Sequence, residues 1–448
     1  MTIEAPAQAL QFGVEGGQKI AKTIPLKNHQ PLKKAKDYWY MLGPGLTTGA
    51  SDDDPSGIAT YSQAGAQNGF GLLWTAAFTF PLMAVIQEIC ARVGLVTGRG
   101  LAANIKHHFG NKVLYFSTFL LFCANTFNVG ADIGAMASAI RLVVNINVAL
   151  LVVVTTLFIL LLQIFTPYIR YARYLKWLAL VLFAYIMSAI LAHPDWGSVA
   201  KYALVPHITW SKNEFLLLTA VLGTTITPYL FFWQTSQEIE EEIAQGKVTI
   251  ESRSGSNKEE IKSMRTDVWS GMFLSNVVMF FIIAACASVL FSHGITNINT
   301  AAQAAEALRP FAGATTFYLF AIGIVGMGLL AIPVMAGSSA YAISESLGKR
   351  QGLNSKLKQG YAFYGVIIIS MLVGLAINFI GLNPIKALIY SAVANGIVAP
   401  VILVLIMLIA RNSKTMGEWK NGKLSGVFGW VLVLLMTFSG LAAIYSLF

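Results

Sequence analysis

Three consecutive carboxylates, Asp52, Asp53 and Asp54, lie inside an apolar stretch of this 448-residue chain and are followed directly by Pro55. A carboxylate in such surroundings is costly unless a cation, a proton or hydrogen-bond donors compensate its charge. Proline interrupts a helix and frees backbone carbonyls. A divalent cation at Asp54 would offset the charge and satisfy those carbonyls together, so Asp54 is the first candidate for a metal ligand.

The same residues have a simpler interpretation, because Asp side chains also cap the N-terminal ends of helices. Capping does not require an acidic residue deep in a membrane, so we predict that Asp54 is the main charged ligand. For Asp52 and Asp53 we favour the capping interpretation, although one of them could line the aqueous approach.

The composition identifies the surroundings of these carboxylates as a membrane. The chain is 56 % hydrophobic and only 12 % charged, whereas roughly a quarter of the residues in soluble domains are charged. Most of its apolar stretches are long enough to cross a hydrocarbon core of about 30 Å. They predict eleven spans, at 40–66, 71–97, 113–143, 147–167, 173–193, 214–244, 266–292, 314–347, 360–380, 385–410 and 426–447.

The distribution of charge predicts the orientation of the spans. If the N-terminus is cytoplasmic, 26 of the 31 Lys and Arg residues lie in inward-facing segments, as the positive-inside rule requires. The net charge of +10 therefore orients the protein and does not indicate a nucleic-acid partner. Residues 1–37 lack the apolar core of a signal peptide, and the three scattered cysteines are expected to be buried thiols.

Span 6 contains a second interruption, from Gly223 to Tyr229 around Pro228. Spans 1 and 6 begin two possible five-helix halves that enter the membrane from opposite sides. Paired breaks in corresponding helices indicate a transporter site near the bilayer midplane. The predicted organisation is a cytoplasmic tail (1–37), a first repeat with spans 1–5 (38–193), an extracellular loop (194–213), a second repeat with spans 6–10 (214–411) and its cytoplasmic linker (246–260), and span 11 (426–447).

Several motifs resemble the NRAMP family of divalent-metal transporters. The similar segments are Gly43–Gly45, Asp54-Pro55, Ile58–Thr60 and Gln63–Gln67 in span 1, Gln87–Ala91 and Arg92–Arg99 in span 2, and Gly223–Pro228 in span 6. The resemblance implies an all-α membrane protein with a LeuT-type inverted repeat of five plus five helices and an added eleventh helix.

The ligand positions depart from the family pattern. Gly57 stands where the family has an asparagine ligand, Thr227 stands where it has a methionine ligand, and Tyr229 replaces the adjacent histidine. Sulfur favours softer metals, whereas carboxylates, hydroxyls, carbonyls and water suit Mg²⁺. The smaller residues at 57 and 227 should leave room for a partly hydrated ion.

The family's ionisable positions are also changed. A second family histidine aligns with Gln234, and its acidic pair in span 3 aligns with Asn128 and Ala131, with Asp132 one position away. These departures are similar to those of the NRAMP-related magnesium transporters. Asp132 could line a pathway or form a hydrogen bond to a neighbouring helix.

The resulting metal-site candidates are Asp54, Thr227, Gly57, Asp53, Thr224 and Tyr229, with the backbone carbonyls near Asp53 and Thr224 as possible ligands. In span 10, Tyr390 and Asn395 are weaker candidates. Glu88 in span 2 has two interpretations, a carboxylate that lines the inner pathway or a partner of Arg92 one helical turn away.

The leading hypothesis is a secondary importer of divalent cations, Mg²⁺ with Mn²⁺ as a companion, without proton coupling. A proton-coupled Mn²⁺/Fe²⁺ importer is the alternative, and an amino-acid transporter of the same fold is more distant because Asp54 would repel a substrate carboxylate. No nucleophile–base pair suggests an enzyme, and no cofactor is expected.

All six histidines fall in predicted loops or span ends, which argues against a histidine proton relay. We expect a multi-pass protein of a bacterial inner membrane.

Overall fold

A computed structural model describes residues 38–447 except 40, 167, 209–210, 297, 299–300, 356 and 382–383. The predicted tail 1–37 lies outside the described residues. The described part of the chain is helical and contains no β-strand, as the apolar spans predict.

The helices follow the eleven predicted spans. Among the described residues, nine are long and apolar enough to cross a membrane, and span 9 is apolar with 17 residues. Span 1 is divided into two shorter helices. In chain order the helices of the spans are Pro44–Asp52 with Pro55–Asn68, Trp74–Thr97, Leu101–Val143, Val148–Phe165, Tyr168–Leu178 with Phe183–Leu191, Lys212–Thr225 with Pro228–Ala244, Lys258–Val289, Ala301–Ser346, Tyr361–Ile377, Pro384–Arg411 and Lys423–Leu447.

Both helix breaks lie at the prolines that predict them. Asp54 is extended at φ −63° and ψ 167°, and Thr227 is extended at φ −95° and ψ 136°. Pro55 and Pro228 then occupy the first position of the following helix, where a missing N–H costs no helical hydrogen bond. Spans 1 and 6 therefore each consist of two half-helices.

Spans 3 and 8 are longer than predicted, and both contain a glycine kink. Their helices begin at Leu101 and Ala301, with Gly110 at φ 79° and Gly313 at φ 84°. Such a positive φ is readily adopted only by glycine. The prediction from continuous apolar stretches did not include the helical segments before the kinks, 101–109 and 301–312. Because spans 3 and 8 are the third helices of the two halves, the matching kinks agree with an internal repeat.

Two segments predicted as loops contain helices. The outer loop 194–213 includes Trp196–Leu204, and the inner linker 246–260 includes Ile250–Arg253. Arg253 is buried and donates hydrogen bonds to the carbonyls of Gly98 and Val248. The linker therefore packs against the inner end of span 2.

The inner half of span 1 touches span 7 backbone to backbone. A Cβ atom added to Gly49 would lie 2.3 Å from the Gly271 carbonyl oxygen, and one added to Gly271 would lie 2.1 Å from the Gly45 carbonyl oxygen. Glycines four residues apart share one helix face, and small residues let membrane helices approach this closely.

Span 7 also caps this half-helix. Asp267 accepts hydrogen bonds from the backbone N–H groups of Gly43 (2.9 Å), Gly45 (2.7 Å) and Leu46 (3.1 Å). The helix has no side-chain cap of its own at Gly43. A carboxylate at a helix N-terminus satisfies free donors and complements the helix dipole, so Asp267 fixes the inner end of span 1.

Candidate functional site

Asp54 lies at the centre of the break in span 1 and is fully buried. Its Oδ1 accepts the Gly57 N–H at 2.5 Å, and its Oδ2 accepts Nδ2 of Asn128 at 2.9 Å. Asp54 is therefore a helix cap, as the simpler interpretation has it. Each carboxylate oxygen retains a further lone pair, so capping leaves Asp54 able to bind a cation.

Three oxygen atoms lie close around Gly57. A Cβ atom at Gly57 would lie 3.2 Å from Oγ1 of Thr224, 3.3 Å from the carbonyl oxygen of Asp52 and 3.4 Å from Oδ1 of Asp54. The buried hydroxyls of Thr224 and Thr227 have no hydrogen-bond partner in the described part of the chain. The carboxylate of Asp54, the hydroxyl of Thr224 and the carbonyl of Asp52 form an oxygen cluster, and such donors suit hard divalent cations.

Tyr229 connects the two broken helices. Its hydroxyl donates a 2.7 Å hydrogen bond to the carbonyl of Ser51, and its own carbonyl accepts the Ser338 hydroxyl at 2.8 Å. The phenol proposed from the sequence as a metal-site residue is thus engaged with the inner half of span 1. Thr227 occupies the N-cap position of the following half-helix without a side-chain cap.

Asp52 and Asp53 are buried, and their side chains do not cap the second half-helix, contrary to the favoured interpretation. Oδ2 of Asp52 accepts the Ser275 hydroxyl at 2.8 Å, whereas neither carboxylate oxygen of Asp53 has a hydrogen-bond partner among the described residues. No ion pair involves Asp52, Asp53 or Asp54 in that part of the chain. Three neighbouring buried carboxylates repel one another when ionised, and this repulsion favours a cation at the site.

Span 3 presents two side chains to the outer half of span 1. Asn128 donates to Asp54, and Oδ1 of Asp132 accepts the Ser56 N–H at 3.0 Å. Asn128 and Asp132 are one helical turn apart and therefore share a face. Of the two interpretations of Asp132, the structure shows the hydrogen bond to a neighbouring helix.

Span 10 contributes Ser391 and not Tyr390. Tyr390 is 47 % exposed, whereas the buried Ser391 hydroxyl donates to Oδ1 of Asn128 and lies 3.4 Å from Oγ of Ser56. Adjacent helical residues point about 100° apart, so the loose match to the family in this span placed the candidate one position too early. Asn395, one turn after Ser391, is also buried.

A methionine that the sequence did not single out also lies here. Sδ of Met335, in span 8, is 3.1 Å from Nδ2 of Asn128, the same nitrogen that donates to Asp54. A sulfur therefore lies next to Asn128, although Thr227 stands where the family has its methionine ligand. No local sequence signal distinguishes Met335 or Ser391 from other residues of their apolar spans.

Two other pathway candidates make contacts away from Asp54. Nε2 of Gln234 donates to Glu238 at 2.8 Å. Oε1 of Glu88 accepts Arg265 at 2.8 Å and Arg92 at 3.5 Å, and its Oε2 accepts the indole N–H of Trp269 at 2.9 Å. Glu88 therefore pairs with Arg92, as one of its two interpretations has it, and also holds span 2 against span 7.

We expect Glu88→Gln to lower thermal stability and to leave the metal preference unchanged, because it breaks a mostly buried ion pair outside the oxygen cluster. Thermal unfolding of the purified protein measures the first effect, and the KM values for Mn²⁺ and Mg²⁺ uptake measure the second. The exposed Glu306→Gln is the matched control. A changed order of metal preference in Glu88→Gln would place Glu88 on the cation pathway instead.

A cavity of about 1080 Å³ opens at the inner end of spans 1, 5, 6 and 7. Its charged lining is mixed. Lys247 pairs with Glu242 and Glu260, and the other charged residues are Glu238, Glu241, Asp267, Arg173 and Lys176.

These features define a class of protein. Two helices broken at corresponding positions meet at a buried carboxylate inside a multi-pass helical bundle, which is the architecture of membrane transporters with LeuT-type inverted repeats. Residues 45–446 match the sequence profile described as natural resistance-associated macrophage protein-like, Nramp. The chain belongs to the Nramp family.

One relative agrees with this assignment, and two solved structures agree with the fold. The chain is 26 % identical over 411 residues to the divalent metal cation transporter MntH of Klebsiella pneumoniae. The matched residues cover 88 % of this chain and 91 % of that protein. Its fold is similar to that of the Eremococcus coleocola manganese transporter, with a TM-score of 0.68, 20 % identity and coverage of 94 % and 89 % of the two chains. A Na⁺-coupled sialic acid symporter has a TM-score of 0.52 at 13 % identity, over 97 % of this chain and 95 % of that chain.

Proposed function

We propose that this protein is a secondary transporter that imports divalent metal cations, with Mg²⁺ and Mn²⁺ as substrates. The observation that supports this function best is the buried carboxylate of Asp54 at the break in span 1, beside the oxygen atoms that lie close around Gly57. The K. pneumoniae relative is named a divalent metal cation transporter and the E. coleocola protein a manganese transporter, which supports the same class of substrate.

The oxygen donors support Mg²⁺ as a substrate. Mg²⁺ prefers six oxygen ligands and retains its waters, and glycine at position 57 adds no side-chain atoms beside Asp54. We propose that Asp54 provides the charge, and that Thr227, Thr224 and the carbonyl of Asp52 complete the surroundings of a partly hydrated ion. Asp53 increases the negative charge near this position.

Transport without proton coupling is the second part of the proposal. Asn128, which does not titrate, faces Asp54 from span 3. Glu88 is engaged with two arginines and a tryptophan. The described histidines lie near the ends of spans or in connecting segments, at His107, His108, His193, His207 and His293. We place the protein in a bacterial inner membrane, as the K. pneumoniae relative suggests.

In proteoliposomes we therefore expect Mg²⁺ and Mn²⁺ influx without acidification of the lumen. The measurement is uptake of Mg²⁺, Mn²⁺ and Ca²⁺ with a pH-sensitive dye trapped inside the vesicles, and protein-free vesicles provide the leak rate. Acidification at a fixed ratio to metal influx would contradict the proposal.

A proton-coupled Mn²⁺/Fe²⁺ importer is the second candidate, and two observations favour it. Met335 supplies a soft sulfur close to the cluster, and Oδ2 of the buried Asp132 has no hydrogen-bond partner in the described chain. In the acidification experiment Asp132 would be the first residue to test as the proton carrier. An amino-acid substrate is disfavoured because Asp54 already occupies the N–H of Gly57.

A further inference from the structure

We propose that Asn128 is a ligand of the transported cation, and that its amide group rotates by half a turn about the last side-chain bond when the cation binds. In this proposal the hydroxyl of Ser391 holds the amide in both orientations. The inference rests on the proposed function and adds a ligand from span 3 to those at the helix breaks.

In the structure the nitrogen of the Asn128 amide faces Asp54 and its oxygen faces Ser391. Nδ2 of Asn128 donates to Oδ2 of Asp54 at 2.9 Å and to Sδ of Met335 at 3.1 Å. These two contacts use both N–H bonds of the amide. The amide oxygen faces the other way and accepts the Ser391 hydroxyl.

Ser391 can stabilise the reversed amide equally well. A hydroxyl both donates and accepts, and Oγ of Ser391 has a second acceptor in the carbonyl of Leu388, at 2.7 Å. After a half-turn about the last side-chain bond of Asn128, Ser391 donates to Leu388 and accepts from Nδ2. The Ser391 hydroxyl, the Leu388 carbonyl and the amide group of Asn128 that faces them therefore all keep a hydrogen-bond partner.

A cation determines which orientation is preferred. Without a cation, the reversed amide would direct its oxygen at the carboxylate of Asp54, and two acceptors would repel each other. With a divalent cation beside Asp54, the present orientation directs N–H bonds at a positive charge, whereas the reversed orientation offers a carbonyl oxygen. Asparagine carbonyl oxygens are ordinary ligands of hard divalent cations, so cation binding and amide reversal favour each other.

The test compares Asn128→Leu, Asn128→Asp and Asn125→Leu with the wild type. Asn125 is a buried asparagine on the same helix whose amide donates to Ser339 and to the Met335 carbonyl, so its variant controls for the loss of a buried amide. Mn²⁺ binding to the full chain in lipid nanodiscs is measured by electron paramagnetic resonance of free Mn²⁺, and Mg²⁺ is added as a competitor.

We expect Asn128→Leu to weaken Mn²⁺ binding about tenfold, the effect of losing one ligand. Asn128→Asp should bind Mn²⁺ at least as tightly as the wild type, because an acidic oxygen replaces the amide oxygen. Asn125→Leu should bind normally. If Asn128 only positions Asp54 by donating N–H bonds, Asn128→Asp will lose binding as Asn128→Leu does, and the inference is wrong.

Two further outcomes are decisive. Equal losses in Asn125→Leu and Asn128→Leu would assign the effect to packing and overturn the inference. Wild-type Mn²⁺ binding by Asp54→Ala would overturn the proposed function itself, whereas loss of binding in Asp54→Ala together with failure of Asn128→Asp would overturn only the role of Asn128.

Discussion

Asp54→Ala should abolish uptake of both Mg²⁺ and Mn²⁺ while the protein still folds. The carboxylate is buried at the break in span 1 and is the charged group of the oxygen cluster. Without it, a divalent cation at the break would lose the one carboxylate among its proposed ligands, and Asp52 and Asp53 would remain only as neighbouring charges. A loss of about a hundredfold in transport, equivalent to about 2.7 kcal/mol, is the least we expect. Initial uptake rates in proteoliposomes at matched protein density provide the measurement.

Asp195→Ala is the matched control. Asp195 caps the helix Trp196–Leu204 by accepting the Gly197 N–H, so its variant loses an aspartate cap outside the cluster. Size-exclusion behaviour and helical content confirm folding in both variants. Normal metal uptake by a well-folded Asp54→Ala protein would remove Asp54 from the cation site.

The double variant Gly57→Asn with Thr227→Met should shift the preference of the transporter from Mg²⁺ towards Mn²⁺ and Cd²⁺. A Cβ atom at Gly57 would already lie 3.2 Å from Thr224 and 3.3 Å from the Asp52 carbonyl, so the asparagine narrows the space for retained waters. The methionine adds a sulfur, and softer ions gain most from sulfur. Uptake of each metal, with millimolar Mg²⁺ as a competitor, measures the change.

Gly57→Ala separates the two causes, because it adds only a methyl group to the same space. We expect it to weaken Mg²⁺ competition without improving Cd²⁺ uptake. A wild type that ignores millimolar Mg²⁺, or a double variant with the wild-type order of preference, would show that positions 57 and 227 do not set selectivity. The magnesium proposal would then be abandoned.

Local chemistry made much of this fold predictable. Pro55 and Pro228 determine both helix breaks, because a missing backbone N–H acts on its own segment. Continuous apolar stretches located the spans because hydropathy, too, is a property of residues that are neighbours in the sequence. It missed the starts of spans 3 and 8, where Gly110 and Gly313 join a further helical segment to each span.

The partners of the cluster were less predictable because they are distant in the sequence. Asn128 was a candidate, but its contacts with Met335 and Ser391 depend on how spans 3, 8 and 10 pack. The choice between Tyr390 and Ser391 depends on the rotation of a helix, which hydropathy does not determine in an apolar span. A sequence therefore identifies an unusual charge more readily than the neutral groups that contact it.

The glycine contact between span 1 and span 7 has a mechanical consequence. Backbone touches backbone at Gly49 and Gly271, so these two helices cannot roll over one another without first separating. Asp267 holds the start of the same half-helix from span 7. The nearest backbone torsions outside a helix are those of Asp53 and Asp54. In an opening towards the inner face, the inner half of span 1 and span 7 would therefore move together about the backbone of Asp53 and Asp54.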